Sequence, residues 1–261
     1  MTVLTVAAAQ LTSGADPAAN LELVTDAIAT AAARGARLLV TPEATMACFG
    51  TDLREVAEPL DGPWANAVRA AASEHGITAV VGMFEPAEDG RVHNTLLVAQ
   101  PSRPLDEEPA RYRKMHLFDA FGSRESAVVA PGAELVSIEV EGVSVGLATC
   151  YDVRFADQFT ALGRAGAELI VLPASWGDGP GKAEQWDLLT RARAADAQAW
   201  LLASDQAWTA PRGRAPLGLG RSVLADPTGG VRARLGSEPG LLVAEIDTEL
   251  VREVRERVPI L

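Results

Sequence analysis

A chain of 261 residues, 48% hydrophobic and 22% charged, can bury one sizeable core; no linker or shift in composition divides it, so a single unit over residues 1–261 is expected, with its core at about 2–246 and a terminal helix at 247–258. The formal net charge of −12, from 35 acidic and 23 basic residues, repels phosphate backbones and anionic lipid and argues against nucleic acid and membranes as partners. No basic leader opens the chain and no apolar stretch nears the ~20 residues that cross a bilayer, so a cytoplasmic protein is expected, and two cysteines make no disulfide scaffold.

Short apolar runs alternate with amphipathic stretches. Residues 3–9 read as a buried strand, followed by a helix that Asp16 caps, Pro17 starts and Gly35 stops. A strand at 38–41 leads into a polar turn carrying Glu43. A helix at about 63–75 ends at Gly76, and apolar strands at 78–83 and 95–99 come next. Between 101 and 131 the periodicity disappears into a mixture of proline, charge and aromatic residues, a kind of loop that often carries function. Strands at 136–140 and 143–149 flank a Glu141-Gly142 turn, and the second runs straight into Cys150.

A helix at about 155–164, a strand at 168–172, a helix near 183–197 and a strand at 200–203 continue the alternation, with the longest loop around 205–220. Strands at 222–225 and 231–235 flank the turn DPTGG, and a strand at 241–246 precedes the terminal helix. In that helix Arg252, Arg255 and Arg257 are interleaved with Glu249, Glu253 and Glu256, the pattern of a solvated face rather than a basic patch. No repeat or low-complexity tract is visible. Interleaved strands and helices predict a layered α/β architecture.

Several motifs fail on inspection. Gly142, Ser144 and Gly146 match G-x-S-x-G, yet the segment alternates like mid-strand and all three histidines, His75, His93 and His116, precede it. Gly179-Pro180-Gly181-Lys182 has the end of a phosphate loop, but Trp176 and Ala183 stand where its first glycine and its hydroxyl must be. No dinucleotide fingerprint follows a strand, and no metal-ligand spacing occurs.

Cys150 is more informative, because it ends an apolar strand just before a helix start, where backbone N–H groups favour a thiolate and can bind an oxyanion. A small buried apolar role is the competing reading, and it is the one assigned to Cys48. Glu43 ends a strand, where open α/β sheets place reactive groups, although a surface carboxylate or cap fits equally. Lys114 lies among Tyr112, His116, Leu117 and Phe118, along which its stem can also simply pack.

Taken in order, LLVTPEAT around Glu43, YRKMHLFD around Lys114, ATCYDVRF around Cys150, ELIVLPASW at 168–176 and GRSVLADPTGG at 220–230 resemble the nitrilase-like carbon–nitrogen hydrolases. The resemblance runs from about Thr2 to Ile246 and points to the omega-amidase-like or a related amidase branch. It implies a four-layer α-β-β-α sandwich and a Glu-Lys-Cys triad. Within it Glu43 is general base, Lys114 stabiliser of the tetrahedral intermediate and Cys150 nucleophile. Glu125 corresponds to a second glutamate that positions lysine and substrate, and the Tyr151 backbone N–H is the companion oxyanion donor. Asn94 and the Gly220-Arg221-Ser222 segment match positions taken as structural.

The implied reaction is hydrolysis of a small linear amide to carboxylate and ammonia through a cysteine thioester, with no metal or organic cofactor, in a homodimer or larger homo-oligomer. A lysine nearby is expected to favour an ionised Glu43 and a thiolate at Cys150. The chain departs from the family where the loop from Lys114 to Glu125 is compact and where ADQF follows CYDVRF in place of a common Pro-Glu pair. Arg154 can fork a substrate carboxylate or pair internally with Asp152 or Asp157, and Trp176 can line the pocket or pack in the core. A nitrile or a carbamoyl-amide substrate remains open, as does an inert scaffold.

Overall fold

The structure, a computed structural model, describes residues 2–210 and 218–261. The first half of the chain forms β1 (Val3–Gln10), α1 (Pro17–Ala33), β2 (Leu38–Val40), α2 (Leu53–Val56), α3 (Pro63–His75), β3 (Thr78–Pro86), β4 (Val92–Ala99) and β5 (Ala110–Arg113). The second half forms β6 (Ser137–Val140), β7 (Val143–Leu147), α4 (Ala156–Arg164), β8 (Leu169–Ala174), α5 (Lys182–Ala197), β9 (Trp200–Asp205), β10 (Val223–Ala225) and β11 (Val231–Arg234). β12 (Gly240–Asp247) and α6 (Thr248–Arg257) close the chain. Asp16 caps α1 by accepting the Ala18 N–H at 2.9 Å, ahead of Pro17.

Two six-stranded sheets result, ordered β12-β1-β2-β3-β4-β5 and β11-β10-β9-β8-β7-β6. In the first, β1, β2 and β3 are parallel and the flanking strands antiparallel; in the second, β7, β8 and β9 are parallel. Starting from β12 in one and β6 in the other, the two sheets therefore repeat one topology. No sequence repeat announces this, because the two halves share a burial pattern rather than residues.

The strand period of two sorts side chains between layers. Leu4, Val6 and Ala8 of β1 meet Val145, Leu147, Val171 and Leu202 in a core between the sheets. Ala7 and Ala9 face the opposite way, against Val24 and Ile28 of α1 and Val68 of α3. Ile170 and Leu172 of β8 likewise pack outward against Phe159 and Leu162 of α4 and Trp186 of α5. The architecture is thus the α-β-β-α sandwich expected. In α6, Arg252 pairs with Glu249 and Glu256, and Arg257 with Glu253 at 3.5 Å, a solvated face. Among the described residues no helix is long and apolar enough to cross a membrane.

Two elements escape the sequence pattern. β5 lies inside the stretch read as irregular, since of ARYR only Tyr112 is buried and the other three are charged or small at a sheet edge. The four-residue α2 is too short for any periodicity. The helix expected at 155–164 begins at Ala156, behind a separate 3-10 turn at Cys150–Arg154. Part of the loop expected around 205–220 falls on residues 211–217, outside the described residues.

The turn after β2 lies directly on β3, where Met46 N–H donates to the Gly82 carbonyl at 2.9 Å. A Cβ at Gly82 would stand 2.7 Å from the Pro42 oxygen and 2.8 Å from the Ala44 nitrogen, so only glycine lets the Glu43 turn seat here. Gly82→Ala is expected to cost about 1–3 kcal/mol of stability and to lower turnover by moving Glu43. Urea unfolding checks this, and an unchanged midpoint contradicts it.

Candidate active site

Strand ends bring the reactive groups to one rim. Glu43 stands three residues past β2, Lys114 directly past β5 and Cys150 three residues past β7. The Lys114 backbone is tied on both sides: its N–H donates to the Asn94 carbonyl at 2.9 Å and its carbonyl accepts the Gly132 N–H at 2.8 Å. Cys150 has φ of +46°, a left-handed conformation that a side chain tolerates at a cost, at the junction of strand and 3-10 turn.

The side chains converge. Lys114 Nζ donates to Glu43 Oε1 at 2.8 Å and to both oxygens of Glu125 at 3.1 and 2.9 Å. Asn94 Nδ2 bridges the same carboxylates, 2.7 Å from Glu43 Oε1 and 3.2 Å from Glu125 Oε1. The other oxygen of Glu43 accepts the Ser175 N–H at 3.0 Å, and that of Glu125 the Phe118 N–H at 2.6 Å. Gln206 Nε2 reaches the Glu43 carbonyl at 3.1 Å. The Cys150 sulfur lies in the fields of Glu43 and Lys114. Glu43 and Lys114 are buried, at 1% and 2% exposure, as are Asn94, Gln206 and Cys150, so the charges of the pair are barely screened.

That burial decides the protonation states. Desolvation alone would drive Lys114 down, but the carboxylates of Glu125 and Glu43 outweigh it and hold the ammonium well above the ordinary lysine value. For Cys150 desolvation comes first and the Glu43 charge second; both push the thiol well above its ordinary value, against Lys114 and the Ser175 N–H. The expectation of a thiolate is therefore corrected. Burial and the Glu43 charge together outweigh Lys114, and the resting sulfur keeps its proton.

A second network braces the rim. Asp152 Oδ2 accepts the Tyr112 hydroxyl at 2.6 Å and the Thr149 N–H at 2.8 Å, while Oδ1 accepts the His116 N–H at 3.0 Å and lies 2.8 Å from His116 Nδ1. Gln158 Nε2 donates to the Tyr112 hydroxyl at 2.9 Å. Asp152 is two residues past Cys150 and Tyr112 two before Lys114, so this carboxylate locks the Cys150 turn of one sheet to the Lys114 edge of the other. Beside Asp152, Tyr112 is held well above the ordinary phenol value, by burial first and the Asp152 charge second.

Of the groups expected from the sequence, Glu43, Lys114, Cys150 and Glu125 come together. Tyr151 is the second residue of the 3-10 turn, where an N–H lacks an intrahelical acceptor, and its ring meets Phe118 edge-on at 5.1 Å. Arg154 pairs with neither Asp152 nor Asp157: its Nη2 donates to Gln185 Oε1 at 2.7 Å, and its guanidinium lies 4.9 Å from the Trp176 ring centroid. Trp176 is 4% exposed and packs on Trp186 at 5.5 Å, so it serves the core and still offers a face to Arg154. Its backbone N–H donates to Asp205 at 2.7 Å, one residue after the N–H that holds Glu43.

The sequence reading missed Asn94 as a working residue, although an amide inside the apolar strand VHNTLLVA was a visible signal. Ser175 acts through its backbone and left none. Among the described residues no group of three or more His, Cys, Asp or Glu side chains is placed to hold a metal ion. A cavity of about 480 Å³ around Arg69, rimmed by Asp61, Glu85, Asp106, Glu107 and Glu108, contains none of the triad.

Because its pKa is raised, Cys150 is expected to alkylate with iodoacetamide more slowly than free cysteine at neutral pH, with a rate profile displaced to alkaline pH. Glu43→Gln removes a negative charge that raises it, and should move the profile to lower pH. Peptide mass spectrometry, which separates Cys150 from Cys48, reads both; a profile at or below that of free cysteine refutes the assignment.

Comparison with known proteins agrees with this geometry. The family model described as carbon-nitrogen hydrolase matches residues 5–256. A Mycobacterium tuberculosis protein described as a hydrolase is 51% identical over 263 residues, covering 98% of this chain and 94% of its own. A deaminated glutathione amidase of Escherichia coli O157:H7 is 35% identical over 246 residues, covering 93% and 90%. Among solved structures, Saccharomyces cerevisiae Nit3, described as a member of branch 10 of the nitrilase superfamily, superposes with a TM-score of 0.86 at 26% identity over 99% of this chain and 95% of that one. With the model spanning both sheets and the nearest strand-end residues forming one buried cluster, the chain belongs to the carbon–nitrogen hydrolase family of the nitrilase superfamily.

Proposed function

We propose that the protein is an amidase that converts a small linear amide into its carboxylate and ammonia through a thioester on Cys150. One observation carries the reading: a single buried carboxylate, Glu43, is hydrogen-bonded to the Lys114 ammonium, and the Cys150 sulfur lies in the fields of both. Proton acceptor, nucleophile and charge stabiliser thereby share one buried site. The amidase relative from Escherichia coli supports an amide as the substrate.

The resting thiol fits general-base assistance. Glu43 takes the proton of Cys150 as the sulfur attacks the carbonyl carbon. The carbonyl oxygen becomes an oxyanion, held by the Lys114 ammonium and the Tyr151 backbone N–H. When the intermediate collapses the C–N bond breaks, and the proton on Glu43 passes to the departing nitrogen as ammonia. Glu43 next takes a proton from water as that water attacks the thioester, and the proton returns to sulfur as the carboxylic acid leaves. Lys114, held charged by Glu125, keeps its proton throughout.

Arg154, without a carboxylate partner, is assigned to a carboxylate at the far end of the acyl chain. The protein is expected to act as a homo-oligomer, which light scattering reads as a mass above one chain.

Cys150→Ala is expected to keep its thermal midpoint while ammonia release falls by more than about 10³-fold; retained turnover ends the proposal. Intact mass of the wild type during turnover of a matched amide and nitrile pair tests the rest, with an acyl adduct and ammonia expected from the amide. An adduct from the nitrile alone overturns the amidase assignment. Arg154→Ala is expected to raise KM for an amide with a distal carboxylate about tenfold or more and to spare the uncharged amide, whereas equal losses remove the clamp.

A further inference from the structure

Of the 23 basic residues only two are lysines, Lys114 and Lys182. The first belongs to the triad. The second opens α5 and lies at the same mouth, its Nζ 4.6 Å from the ring centroid of Phe121, 5.3 Å from that of Trp176 and 5.5 Å from that of Phe118. Arg154 approaches the Trp176 ring too, and that of Tyr151 at 5.7 Å, so two cations share one indole. Lys182 is held below the ordinary lysine value by partial burial first and the Arg154 charge second.

Neither cation has a counter-charge. Among the described residues Arg154 and Lys182 form no ion pair, in a chain where acid outnumbers base. Several carboxylates around the site are committed elsewhere: Asp152 to Tyr112, His116 and Thr149, Glu43 and Glu125 to Lys114, and Asp178 to Trp208 and Gly179. Asp157 and Glu184, close to the two cations in sequence, form an ion pair with neither. Residues 211–217 read PRGRAPL and contain no acid to supply one. Arg154 Nε is also buried without a hydrogen-bond partner. Two like charges set close together and partly desolvated are unfavourable by themselves, and an anion between them reverses the sign.

We propose that Lys182 is a specificity-determining residue, closing over the carboxylate at the far end of the acyl chain from the side opposite Arg154. This rests on the amidase reading above and adds the group that sets the charge preference. The rings of Phe118, Tyr151 and Trp176 flank the methylenes of the acyl chain, Arg154 presents its planar fork, and Lys182 supplies a compact charge on a flexible stem. Phe121, 79% exposed and stacked beside Phe118 at 6.2 Å, forms the outer lip against Lys182.

The test compares the wild type, Lys182→Met and Lys182→Glu on succinamate, its uncharged counterpart butyramide and the cationic gamma-aminobutyramide, with thermal midpoints as a folding check. The ratio of kcat/KM for succinamate to that for butyramide is expected to fall about tenfold or more in Lys182→Met, through KM, and Lys182→Glu is expected to favour the cationic amide. A ratio unchanged in both variants, or equal losses on every amide, overturns the proposal. Competitive inhibition of the wild type by succinate against butyrate gives a reading that needs no variant, and equal inhibition also overturns it. A wild type inert toward all three amides instead defeats the amidase reading, whereas turnover without charge preference leaves that reading intact and removes the carboxylate subsite, Lys182 and Arg154 together.

Discussion

The site is organised by the need to neutralise one buried ammonium. Lys114 is almost wholly removed from water, a state a lysine holds in charged form only with close anionic partners. Glu43 and Glu125 supply them, and each carboxylate in turn requires donors: Asn94 for both, the Ser175 N–H for one and the Phe118 N–H for the other. Removing any member strands a charge in low dielectric, so the group acts as a unit. Burial and the Glu43 charge also raise the pKa of the neighbouring Cys150 thiol, and in the mechanism proposed above Glu43 receives the proton as that sulfur attacks.

The two-sheet frame explains how residues 71 positions apart come to lie within 2.8 Å. Glu43 and Lys114 hang from opposite parts of the first sheet, joined across it by Asn94 on β4, while Cys150 hangs from the second. Contact between the sheets is mostly apolar and therefore adaptable. Asp152 supplies direction where apolar packing cannot, because its bonds to Tyr112 and His116 fix the separation of the two rims.

Much of this was legible in the sequence. Apolar runs of alternating period gave the layered fold, and Glu43, Lys114 and Cys150 each stood at a predicted strand end or in an aperiodic loop. What escaped did so for physical reasons. β5 is an edge strand with half-exposed arginines, one of them paired with the buried Glu85, so it carries no apolar signature. Ser175 contributes a backbone N–H, which no residue type encodes. Asn94 was assigned to structure because an amide reads as polar filler until the two carboxylates it joins are known. The thiolate expectation failed because a local cue, a helix start beside Cys150, was outweighed by charges and burial set by distant segments. Arg154 had two acidic neighbours in sequence, but folding assigns Asp152 to Tyr112, Thr149 and His116, and among the described residues Asp157 forms no ion pair with it.

The pairing of β12 with β1 reaches along eight residues, from Val3 opposite Asp247 to Gln10 opposite Gly240. On the ribosome, β1 therefore waits for residues 240–247 before its outer hydrogen bonds are met. The second sheet, by contrast, is complete once residue 234 has emerged. Synthesis thus leaves the apolar segment VLTVAAAQ as an open sheet edge until β12 follows. Premature termination shortly before residue 240 would yield a chain with every reactive side chain in place and an adhesive flank.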